Sequence, residues 1–88
     1  MNDYRAISCA AYDEIEILAM HRSFVQVNWL DEDGQSRACK GHLIDTAIHD
    51  RAEYLVIESN EQRQQIRLDK VTTITDAQAA LLWSAAGI

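Results

Sequence analysis

Apolar and polar positions alternate most regularly in residues 53–75. Leu55, Ile57, Ile66, Leu68 and Val71 can line one buried face, while Glu58 and Arg67 turn to water. Two β-rich runs joined by a polar link at Asn60 and Glu61 predict a hairpin, and its second run continues into Val71 and Ile74. Ahead of it, Val25, Val27 and Trp29 alternate with Phe24, Gln26 and Asn28, the pattern of a half-buried strand over residues 23–30. Asp31, Glu32, Asp33 and Gly34 form a turn sequence, and residues 35–39 supply the return strand. Gly41 marks a bulge or bend. Residues 42–48 fit either a bent strand or one helical turn, and His49, Asp50 and Arg51 make a polar loop before the hairpin.

The period changes near the start of the chain. Ser8 is a good N-cap, and neither Pro nor Gly appears in the twenty-five residues that follow it. On a 3.6-residue period Ala11, Ile15, Leu18 and Ala19 share one face, which predicts an amphipathic helix over residues 9–20. Tyr12 lies at the margin of that face. Asp13 and Glu16, three apart, are surface neighbours beyond it, and Glu14 falls on the far side of the stripe. Residues 76–86 read as a second, short helix: Asp76 can cap it, Ala and Leu favour it, and Gly87 can end it. Leu82 and Trp83 would then need a surface to bury against. The order helix, about five strands and short helix predicts a single domain over residues 1–88. It is mostly β, a small antiparallel five-strand barrel with the first helix over one open end.

Composition narrows the partners. The 88 residues carry a formal net charge of −6, with 48% hydrophobic and 25% charged residues, ordinary for a globular domain. Such a surface is a poor match for phosphate backbones, whose affinity comes from Lys and Arg. A basic protein is the better match. The first residues show no basic segment followed by an apolar core, and no stretch approaches the length of a membrane helix, so a cytoplasmic protein without a membrane contact is expected. Cys9 and Cys39 are then thiols.

Sites for chemistry are few. Cys39 and His42 have the spacing of half a zinc site but lack a second pair. Cys39 reads as a small core residue. Asp13 and Glu16 could form an acid–base pair only inside a pocket, which an exposed helix face does not supply. The six aromatic residues are not interleaved with Lys and Arg as a base-stacking platform would be. No metal, cofactor or enzymatic activity is expected.

Three segments together resemble the Rof (YaeO) family of Rho-binding antiterminators. They are Cys9, Tyr12, Asp13 and Glu16 on the helix; Glu53, Tyr54, Leu55, Val56 and Glu58; and the run Ile66, Arg67, Leu68, Asp69, Lys70, Val71 and Thr72. The resemblance spans about residues 4–75. It implies a small Sm-like barrel that binds the transcription terminator Rho at its N-terminal RNA-binding domain, blocks RNA loading and so suppresses termination, without catalysis or cofactor. Tyr12, Asp13 and Glu16 are the implied helix contacts, and the loop His49, Asp50 and Arg51 adds to them. Ala10 and Ala11 stand where members of the family can carry acids. A monomer without direct nucleic-acid binding is expected. The alternative is an Sm-like RNA-binding module, which would need a basic surface and free strand edges.

Overall fold

The computed structural model describes residues 4–85. Helix α1 spans Cys9–Met20, as the apolar period predicts. Ser8 caps it in extended conformation, its Oγ accepting from the Ala11 N–H at 3.1 Å. Ile15 and Ala19 are buried, with Ala11, Leu18 and Tyr12 packed at the edge of the same core. Strands follow at Phe24–Leu30 (β1), Ser36–His49 (β2), Ala52–Ser59 (β3), Gln62–Arg67 (β4), Val71–Thr75 (β5) and Leu81–Ser84 (β6). A 3-10 turn at Leu68–Lys70 separates β4 from β5, so the second run of the hairpin is two strands with a corner between them. All neighbours pair antiparallel, in the order β4-β3-β2-β1-β5-β6.

Val25, Val27, Leu43, Leu55, Ile57, Ile66, Leu68, Val71 and Ile74 form the sheet's share of one hydrophobic cluster with Ile15, Ala19 and Trp83. Burying this face of the sheet beneath α1 is the main stabilising term. Among the described residues, no charged or polar side chain is fully buried in it.

The ambiguous residues 42–48 belong to β2, a long bent strand. Its register against β3 shifts between Leu43 and Asp45, which leaves Ile44 as the extra residue. Gly41 sits just before this bulge. A Cβ there would collide with the carbonyl oxygen of Glu58 in β3 and crowd the Ile57 side chain at 3.1 Å. Glycine therefore lets two backbones approach where the strand bends. Gly41→Ala is expected to cost about 1–3 kcal/mol, the range for forced overpacking. Urea denaturation checks it, and an unchanged midpoint would place β3 farther away.

Both turns flanking β3 are two-residue links with both residues at positive φ: Asp50 (48°) with Arg51 (67°), and Asn60 (52°) with Glu61 (66°). This backbone twist matches the strands it joins, and it favours Asn-Gly. Glu61 occupies the glycine position, where an L side chain is strained. Glu61→Gly is expected to raise stability by about 0.5–1 kcal/mol, read from the thermal midpoint. A lower midpoint would mean that the Glu61 side chain makes a contact in its favour.

The expected C-terminal helix over residues 76–86 is replaced by a hairpin; its last residue, Ala86, and the Gly87 stop lie outside the described residues. Asp76 does cap, but it caps a turn: its Oδ1 accepts from the N–H groups of Gln78 and Ala80, each at 2.9 Å. Ala79 takes φ 64°, which stops a helix from continuing. Leu81–Ser84 then pairs with β5. The expected five-strand barrel is accordingly a six-stranded sheet that does not close: β4 and β6 are its two edges. An open edge on β5 offers unmade backbone hydrogen bonds, and these outweigh the modest helix propensity of Ala and Leu.

Candidate partner-binding site

Helix α1 lies beside β2, and the two are tied together by a hydrogen bond from the Tyr12 hydroxyl to Thr46 Oγ1 at 3.1 Å. Tyr12 is half-buried, with its ring at the edge of the core. Asp13 and Glu16 are exposed, and among the described residues neither carboxylate has a hydrogen bond or an ion pair. The helix phase explains the arrangement, because both lie more than about a quarter of a turn from the buried centre at Ile15. Glu16 lines a shallow cleft with Ala19, Met20, Ile44, Asp45 and Thr46. The bulge at Ile44 thus adds a third carboxylate, Asp45, to this face. Glu14 points elsewhere, into a groove with Ala10, Ala11 and β6.

The turn of His49, Asp50 and Arg51 follows Thr46 along the same strand. Three extended residues cover about 10 Å, so the turn stands at the end of β2 beyond Tyr12. His49, Asp50 and Arg51 are all exposed. His49 rests against the Tyr54 ring across the hairpin, with centroids 5.4 Å apart. The lead-in strengthens this end of the sheet. The Tyr4 hydroxyl donates to Glu53 Oε1 at 2.7 Å, and burial together with that carboxylate pushes the phenol up from its ordinary value. Arg67 stacks over the Tyr4 ring and pairs with Asp69 through two hydrogen bonds, at 3.0 and 2.6 Å. The run Ile66 to Thr72 is therefore a corner that fixes the N-terminal segment, with Leu68 fully buried beneath it.

Sequence spacing alone leaves the cysteines open. Cys39 and His42 stand three apart on one strand, so they face opposite sides of it. Cys39 packs on the core, where burial pushes its thiol up, while His42 sits outside against the edge of the Phe24 ring. Among the described residues, no three His, Cys, Asp or Glu side chains gather where a metal could bind, and no helix is long and apolar enough to cross a membrane.

Three large apolar side chains lie on the surface. Ile17 is 52% exposed, Met20 79% and Ile48 65%. Each is a large apolar side chain that reads as core from its type. Only the helix phase, for the first two, signals otherwise.

These features define an acidic sheet domain with one covering helix and an unpaired carboxylate pair on that helix. Residues 6–82 match the family described as modulators of Rho-dependent transcription termination (ROF), and the chain belongs to that family. It is similar to Protein rof of Escherichia coli (strain K12) and to Protein rof of Shigella flexneri. Each is 32% identical over 76 residues, covering 85% of this chain and 86% of the relative. The family's described role is modulation of Rho-dependent transcription termination.

Proposed function

We propose that this chain inhibits Rho by binding the N-terminal domain that holds its primary RNA-binding site. Tyr12, Asp13 and Glu16 contact that domain, with His49, Asp50 and Arg51 beside them. RNA loading is blocked and termination is suppressed. One observation carries the reading: Asp13 and Glu16 stand exposed and unpaired on the helix of a protein whose family modulates Rho-dependent termination. A surface that holds phosphate presents Lys and Arg. Those cations also bind carboxylates through charge-assisted hydrogen bonds, so an acidic helix competes for the same groups. The protein acts in the cytoplasm as a monomer, without a cofactor and without touching RNA itself.

The test is a calorimetric titration of the full chain into Rho's isolated N-terminal domain, with and without a single-stranded RNA that fills the primary site. Binding that RNA abolishes is the expected result. A ternary complex, or no binding to that domain, would overturn the placement. A gel-shift of RNA by this chain alone, at physiological salt, would favour an RNA-binding module instead.

A further inference from the structure

The outward face of α1 carries a second stripe. Asp13, Glu16, Ile17 and Met20 follow the spacing i, i+3, i+4 and i+7, which places all four side by side on the helix surface. All four are exposed. The inward stripe of Ala11, Ile15, Leu18 and Ala19 supplies the helix's share of the core, and among the described residues Ile17 and Met20 do not belong to it. A helix face kept only for solubility needs no large apolar pair at its centre.

We infer that Ile17 and Met20 are the apolar anchors of the contact with Rho, inserted into a hydrophobic groove rimmed by cations. This rests on the reading that the acidic helix face binds Rho. Charges on the rim of an interface chiefly set the association rate and its salt dependence. Affinity concentrates in a few desolvated side chains near the centre, with polar neighbours excluding water around them. The stripe has this form: Ile17 and Met20 lie next to Asp13 and Glu16, and Asp45 faces Met20 and Glu16 across the cleft on β2. Ile17 and Met20 stand three apart on one helix face, so both can enter a single slot of a partner surface. The partner surface is thus one that combines an apolar slot with Lys and Arg; a uniformly polar basic surface would gain nothing from Met20.

The experiment is a kinetic binding measurement on intact Rho with the full chain and three variants: Ile17→Ser, Met20→Ser and Glu16→Lys. Both serine changes fall on exposed positions, and thermal melts within about 1 °C of the wild type would confirm that folding is untouched. Each serine variant is expected to weaken binding by about thirtyfold, the hot-spot threshold, through faster dissociation. The association rate and the salt slope stay as in the wild type. Glu16→Lys weakens binding as well, and unlike the serine variants it also slows association and flattens the salt slope. Serine variants that bind as tightly as the wild type, while Glu16→Lys does not, would overturn the apolar anchors and leave the acidic reading standing. Weak serine variants beside an undiminished Glu16→Lys would support the anchors and refute the role of charge. If all three bind like the wild type, both fail and α1 is not the Rho-facing surface.

Discussion

Trp83→Ala is expected to lower stability by about 3–5 kcal/mol, the range for removing a buried aromatic side chain. Trp83 is 4% exposed and belongs to the central hydrophobic cluster. Its indole N–H also donates to the carbonyl of Ala11 at 3.1 Å, so one side chain fastens β6 to α1. Small domains hold only about 5–15 kcal/mol in total, so such a loss takes the protein close to unfolding. The melting temperature should fall by at least about 12 °C for a domain of this size. Trp83→Phe keeps most of the buried area and loses the hydrogen bond, and should cost about 1–2 kcal/mol by comparison. Leu82→Ala, on the outer side of the same strand, should stay within about 0.5 kcal/mol. Equal melts for Trp83→Ala and Leu82→Ala would mean that β6 is not docked on the core.

Trp83 also shows where reading the sequence stops. Its local context, alanines and leucines after an aspartate, argues for a helix. What decides the segment is non-local: the free edge of β5, a contact between Ala11 and Trp83 that are 72 positions apart, and a positive φ at Ala79 that alanine does not announce. Where local and global signals agree, legibility is high. Ser8, the absence of Pro and Gly, and the stripe at Ile15 fix α1 at residues 9–20 as expected. The turns at residues 31–34 and 60–61, and the inward face of Leu55, Ile57, Ile66 and Leu68, follow from alternation and turn chemistry alone. The path of β2 did not follow, because Gly41 and Ile44 act through a collision and a bulge whose partners lie on β3.

The candidate site divides in the same way. The helix phase puts Asp13 and Glu16 on the surface, and the family resemblance supplies their proposed role. Ile17 and Met20 are hidden by their type, since apolar residues at helical spacing are usually core. Asp45 was hidden by geometry, because the bulge at Ile44 changes which way the following residues point.

Glu16→Lys is expected to abolish Rho binding and leave the fold intact. Glu16 lies outside the buried stripe and is exposed, so a lysine stem fits in the same place without disturbing Ile15 or Ala19. The change removes the carboxylate that a cation would hold and places a like charge opposite it. Losing one member of a hydrogen-bonded interfacial charge pair costs about 2–5 kcal/mol, and reversal adds repulsion, so the dissociation constant should rise at least about thirtyfold. Asp13→Lys should act in the same direction with a smaller effect, because Glu16 and Asp45 still face the cleft side of the patch. Glu14→Lys is the control that separates local from overall charge. Both reversals move the net charge from −6 to −4, but Glu14 lines the groove beside β6 on the other flank of the helix. Its variant should bind within about threefold of the wild type, with the difference shrinking as salt screens the field. Titration against Rho's N-terminal domain, with circular dichroism to show an unchanged fold, reads all three. Equal weakening by Glu14→Lys and Glu16→Lys would mean that only net charge matters. Undiminished binding by Glu16→Lys would take the acidic stripe out of the mechanism and leave the turn of His49, Asp50 and Arg51 as the contact to test, through Arg51→Gly, which deletes the side chain while relieving its positive φ.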